Sequence, residues 1–175
     1  MAWYTVNYKC GHEGRIQLYG KTTDRERKLD WMSGNVLCDD CQKIEFKKQN
    51  ALAAMENRSA GLPELTGGTE KQRTWAEALR AECHKALYAD SAIASLLRIV
   101  AREKKVTEEE LKASTITTPE TARVLMTSLR DKLFAEQISA TFWINNRPEP
   151  RRNGDLYDWD KVTDVLVAQF VDALK

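Results

Sequence analysis

Two short steps constrain this chain more than anything else in it: Cys10-Gly11-His12 and, later, Cys38-Asp39-Asp40-Cys41. They hold three of the four cysteines and one of the two histidines. Thiolate and imidazole are the donors that a tetrahedral zinc shell favours, and a structural site fills all four positions with protein ligands. Each step is short enough to be a turn. Gly11 tolerates the positive φ that a tight turn often needs, and the x-x spacing lets the thiolates of Cys38 and Cys41 face one ion. The expectation is one structural Zn2+ held by Cys10, His12, Cys38 and Cys41, with no open position for a substrate water. C-x-x-C taken alone also fits a redox pair or two buried thiols. A disulfide is the other competitor. The opening MAWYTVNYK lacks the apolar stretch of a secretory signal, and cytosolic thiols stay reduced. A cytoplasmic, metal-binding protein is therefore expected.

Length allows one medium domain or two small ones. The 175 residues are 42% apolar and 30% charged, an ordinary globular composition. A net charge of +1 gives no whole-protein attraction to nucleic acid or membrane. No apolar run approaches the roughly 20 residues that span a bilayer, so no membrane partner is expected.

Trp3–Tyr8 and Arg15–Tyr19 alternate and are rich in β-formers, which predicts a hairpin with Cys10 and His12 at its tip. Thr22 or Thr23 can cap a short helix from Asp24 to about Ser33. The second cysteine step opens another helix over residues 39–58, with Asp39 and Asp40 suited to its positive end. Ligands on a hairpin turn and then at a helix start follow the order of treble-clef and zinc-ribbon-like modules. Leu62-Pro63-Glu64-Leu65-Thr66-Gly67-Gly68 is the clearest break. It divides the chain into a zinc-binding module, 1–61, and a helical bundle, 62–175. The first has 10 basic and 8 acidic residues, the second 17 and 18, which is too even to assign partners.

After the break, Thr69 to Gln72 fits a capping box. Trp75, Ala76, Leu79, Cys83, Ala86 and Leu87 then form a helical stripe, with Cys83 as a core thiol and His84 at its edge. Ile93, Leu96, Leu97 and Val100 form the next stripe, either on a separate helix or continuing the previous one. Thr107–Glu110 reads as a short capped turn. Thr118-Pro119-Glu120 starts a helix that carries Ala122, Leu125, Leu129, Leu133, Ile138 and Phe142 inward over about 25 residues. Arg147-Pro148-Glu149-Pro150 ends it, and Arg151 to Gly154 is a basic turn. Val162, Val165, Leu166, Phe170, Ala173 and Leu174 share the inner face of the last helix. Single apolar faces must bury one another, so the fold class is α+β and mostly α.

Three blocks carry a family resemblance: C-G-H-E-G with the later C-x-x-C, L-P-E-L-T-G-x-x-K-Q-x-x-W-A-E-x-L-R over Leu62–Arg80, and F-W-I-N-N-R over Phe142–Arg147. Together they resemble small, uncharacterised bacterial proteins with a zinc-finger-like N-terminus, often carried by phages, plasmids and other mobile elements. The resemblance implies the same metal ligands and the same two-part layout. It implies no activity.

Three functions compete. A zinc-stabilised protein-interaction factor suits the near-neutral charge, and the resemblance suggests a mobile-element-encoded adaptor or inhibitor of host machinery. Its candidate partner patch is Lys71, Gln72, Trp75 and Arg80 together with Trp143, Asn145, Asn146 and Arg147, if the two helices meet at one end. The competing reading has the tryptophans sealing that end and Arg147 capping carbonyls. A nucleic-acid-binding zinc-finger regulator would use Arg25, Arg27, Lys28, Lys43, Lys47 and Lys48 on phosphates, with Tyr19 and Trp31 stacking on bases. Interleaved Asp24, Glu26, Asp30, Asp39 and Asp40 oppose it. An enzyme is the weakest reading, because no phosphate loop, nucleophile elbow or H-E-x-x-H occurs. Asp155, Asp158 and Asp160 are explained more simply by a helix cap. The expectation is a non-enzymatic factor with a protein partner, nucleic acid being the alternative.

Overall fold

The computed structural model describes residues 2–102, 118–148 and 159–174. Thr107–Glu110, Glu149-Pro150, Arg151–Gly154, Asp155 and Asp158 lie outside them. The chain is mostly helical with one small antiparallel sheet. It divides into two compact units, Met1–Ala51 and Leu52–Lys175. Among the described residues no helix is long and apolar enough to cross a membrane.

In the first unit, strands β1 (Ala2–Asn7) and β2 (Glu13–Leu18) pair antiparallel, with Tyr4 opposite Ile16 and Val6 opposite Gly14. Alternation decides the two faces: Val6 and Leu18 are buried, while Trp3, Thr5, Asn7 and Arg15 are exposed. Helix α1 (Thr22–Asn35) follows and packs on β1. Neither threonine caps it. The N-cap is Lys21, without a side-chain cap bond, and the helix extends to Asn35. Helix α2 (Asp39–Ser59) begins with Asp39 and Asp40 in its first turn, where the helix dipole favours anionic side chains. Its residues 39–51 belong to the first unit and 52–59 to the second. Val6 and Leu18 are the only buried hydrophobic residues of the first unit among those described.

In the second unit, α2 ends at Ser59 and Gly61 turns the chain with φ 71°. Asn57, buried near the end of α2, donates from its side-chain amide to the Glu77 carbonyl 2.9 Å away. Helix α3 (Glu70–Leu87) starts with the expected capping box of Thr69 and Gln72. Helix α4 (Ala92–Arg102) is separate from it. Helix α5 (Pro119–Glu136) has the second capping box, formed by Thr118 and Thr121, with Pro119 in its first turn. Helix α6 (Ala140–Asn145) and helix α7 (Asp160–Asp172) complete the unit. Trp159, not an aspartate, is the N-cap of α7, and it makes no side-chain cap bond.

The single helix expected from Pro119 through Phe142 is two helices, broken at Gln137–Ser139. The break is held from afar. Thr66 accepts from the Ala140 N–H at 3.0 Å and donates its own N–H to the Ile138 carbonyl at 2.7 Å, forming a parallel bridge. The Trp143 indole N–H donates to the Gln137 carbonyl at 2.9 Å, satisfying an orphan acceptor at the end of α5. Helix α3 packs on α6 and α4, while α5 packs on α4 and α7. They enclose one apolar core that includes Leu65, Leu79, Cys83, Leu96, Met126, Phe134, Trp143 and Phe170. Trp75, Ala86, Ile138 and Ala173, expected inside, are exposed.

Candidate metal centre

The hairpin tip and the start of α2 bring the two cysteine steps together. At the tip, the Tyr8 N–H donates to the His12 carbonyl at 2.9 Å and the Gly11 N–H to the Tyr8 carbonyl at 2.8 Å. Gly11 has φ 81°, a left-handed backbone that glycine adopts without steric penalty. Gly14 is needed for space: a Cβ there would lie 2.5 Å from the Tyr8 ring. The Lys9 N–H donates to the Val36 carbonyl at 2.9 Å, tying the tip to the segment before Cys38. The Gln42 N–H donates to the Cys38 carbonyl at 2.8 Å, so α2 winds up directly after that ligand.

The result is a cluster in which one donor atom from each of Cys10, His12, Cys38 and Cys41 lies within 4.8 Å of the others. His12 Nδ1 sits 3.4 Å from Cys38 Sγ and 3.3 Å from Cys41 Sγ. The Cys38 N–H donates to Cys10 Sγ at 3.4 Å. All four cysteines are free thiols, so no disulfide competes for these sulfurs. Three soft sulfurs and an imidazole converging in this way can hold a metal ion. Cys83 is fully buried in the second unit's core, where burial pushes its thiol above its ordinary range.

Cys10 and Cys41 are not equivalent. The backbone N–H groups of Cys38 and then His12 stabilise the Cys10 thiolate and hold it down to about 6. Cys41 is pushed up to about 11, first by its side-chain hydrogen bond with Cys38, then by burial and by Cys10. Cys10 therefore gives up its proton before Cys41. Metal binding must displace such protons, so affinity falls with falling pH.

The basic residues proposed for phosphate contact are distributed differently. Arg25 lies over the Tyr4 ring, 5.6 Å from its centroid, and donates to Thr22 Oγ1 at 3.1 Å. Arg27 pairs with Asp24 at 4.0 Å. Lys43 pairs with Asp40 at 3.1 Å, and this pairing raises its ammonium pKa. Lys28, Lys47 and Lys48 are exposed. Tyr19 and Trp31 are exposed, as stacking would require. Sequence reasoning missed Arg15, whose guanidinium lies 5.2 Å from the exposed Trp3 ring; the cross-strand register carries that signal.

The proposed partner patch separates into surface and core. Lys71, Gln72 and Asn145 are exposed, and Arg147 lies over the Trp75 ring at 5.5 Å. The two helix ends therefore do meet. Arg147 also donates to the Ile144 carbonyl at 2.8 Å, the capping role foreseen as the alternative. Arg80 and Trp143 must be removed from the patch. Arg80 is 1% exposed and Trp143 0%. Arg80 is enclosed by Glu77 and the Pro63 carbonyl, which accept from it at 2.9 and 2.7 Å. Trp143 packs on Phe134 and Phe142. Asn146 turns back on its own helix, donating to the Phe142 carbonyl at 2.8 Å.

No family model, no curated protein and no solved structure matches this chain.

Proposed function

We propose that this protein is a non-enzymatic protein-interaction factor whose first unit folds around a structural zinc ion. The carrying observation is the convergence of one donor atom each from Cys10, His12, Cys38 and Cys41, the number that a closed tetrahedral zinc site needs. In a tetrahedron with Zn–S of about 2.3 Å and Zn–N of about 2.0–2.1 Å, sulfur and nitrogen stand about 3.5 Å apart. The nitrogen-to-sulfur distances of 3.3 and 3.4 Å fit that spacing. A first unit burying only Val6 and Leu18 among its hydrophobic residues lacks an apolar core of its own, and a structural metal is the usual substitute. Hairpin tip plus helix start is the ligand order of a treble-clef-like module.

Exposed apolar residues support a protein partner. Trp3, Tyr19, Trp31, Ile44 and Phe46 are exposed on the first unit and offer apolar surface for a partner to cover. The resemblance to mobile-element proteins supports a cytoplasmic adaptor or inhibitor of host machinery. Nucleic-acid binding is the second reading, favoured by Arg15 on Trp3 and, separately, by the exposed Lys28, Lys47 and Lys48. It ranks lower because Arg25, Arg27 and Lys43 already have partners within the unit.

Zinc-loaded protein used as bait, with and without nuclease treatment, distinguishes the two. A nuclease-resistant protein partner, lost with the Cys38→Ser plus Cys41→Ser variant, is expected. Submicromolar binding to DNA or RNA at about 150 mM salt, abolished by alanine at Arg25, Arg27 and Lys28, would reverse the ranking.

A further inference from the structure

We infer that His12 binds the metal through Nδ1, the ring nitrogen nearer the backbone, and keeps its proton on Nε2. The inference rests on the zinc reading above and adds the ligand atom and tautomer. The geometry is specific. Nδ1 stands 3.4 Å from Cys38 Sγ and 3.3 Å from Cys41 Sγ, near the edge length of a zinc-sized tetrahedron. Nε2 lies across the ring, so one ion held by both sulfurs at bonding distance is reached by Nδ1.

The turn explains why the near nitrogen is used. Only Gly11 separates Cys10 from His12. With a single residue between them, the His12 backbone stays close to Cys10. From a backbone held that close, Nε2 would overshoot the ion, whereas Nδ1 can turn back onto it. His12 is exposed, and Nε2–H is then a neutral donor on the outer edge of the centre. A second group commonly accepts from the free N–H of a metal-bound histidine and fixes its tautomer.

The test uses the full chain labelled with 15N and loaded with 113Cd in place of zinc, after metal analysis of the same sample. Only His12 and His84 contribute imidazole signals, and a His84→Gln variant assigns them. The expected result is a cadmium splitting on the His12 nitrogen that correlates mainly with Hε1. The nitrogen that correlates strongly with both Hε1 and Hδ2, which is Nε2, should be unsplit and protonated. Splitting on that second nitrogen would overturn the inference while leaving the metal reading intact. Bound metal with no splitting on either nitrogen would remove His12 from the ligand set. Failure of the chain to take up metal, seen directly in the metal analysis, would refute both readings.

Discussion

Arg80 and Glu77, one turn apart on α3, form an ion pair at 2.9 Å in which the guanidinium is almost wholly enclosed. The pair reaches beyond its own helix. The Asn57 amide donates to the same carboxylate, and Arg80 donates to the Pro63 carbonyl. One charged cluster thus joins the end of α2, the Pro63 segment and α3. Removing one member of a buried pair strands the other charge, at a cost of about 3–5 kcal/mol. Glu77→Ala strands the almost wholly enclosed Arg80 guanidinium and should destabilise the second unit by about 3–5 kcal/mol. Arg80→Met, which keeps the volume, should cost less than Arg80→Ala. Urea unfolding followed by far-ultraviolet circular dichroism measures both. A loss below about 1 kcal/mol for Glu77→Ala would mean the cluster is open to water.

Chelation should separate the two units. The first has little apolar core and the second has many buried residues, so metal binding and folding are linked only in the first. With a strong chelator, hydrogen exchange should accelerate over residues 2–51 while α3, α5 and α7 stay protected. Metal analysis before chelation should give near-unit zinc stoichiometry, reduced by Cys38→Ser plus Cys41→Ser. Loss of protection in both units at the same chelator concentration would contradict the separation.

Two tryptophans that look alike in sequence should behave differently. Trp143 is enclosed between Phe134 and Phe142 and donates to Gln137. Trp143→Ala should cost about 3–5 kcal/mol. Trp75, 45% exposed beneath Arg147, should cost far less; the same denaturant titration compares the two variants. Equal losses would place Trp75 in the core as well.

That contrast also marks what the sequence could disclose. The convergence of Cys10, His12, Cys38 and Cys41 was legible because each pair sits on one turn, and turns are governed by neighbouring residues such as Gly11. The capping box at Thr69 and the helix start at Thr118-Pro119 were legible for the same reason. Arg80 was not, because its partners Asn57 and Pro63 lie on other segments. The break before α6 was hidden because Leu133, Ile138 and Phe142 keep a nearly helical spacing. What stops the helix is Thr66, distant in sequence, pairing with the backbone of Ile138 and Ala140.

Acid should weaken the second unit through His84. Its ring stacks on Tyr88 at 3.9 Å and meets Phe134 edge-on at 5.1 Å. Burial and then Arg130 lower its pKa; Asp131 opposes them and Arg80 adds to them. The folded chain therefore holds the proton less tightly than the unfolded chain. Stability should be unaffected well above the ordinary value of about 6.5, begin to fall as pH drops past it, and level off below the depressed folded value. Melting temperatures measured from pH 7.5 down to pH 5 should show this slope, reduced in His84→Gln. An unchanged slope in the variant would assign it to other groups.

The bridge between Thr66 and the residues around Ser139 has a kinetic consequence. The Thr66 hydroxyl reaches the Ile138 carbonyl across 72 positions of chain. Bringing such distant points together costs about 4 kcal/mol of loop-closure entropy, beyond a constant. Helices α3 and α5 require no such closure. The bridge should therefore form late, after the rate-limiting step of folding. Weakening it should leave the refolding rate nearly unchanged and hasten unfolding. This contact then acts as a latch on the native state, governing how long the second unit stays folded more than how quickly it folds.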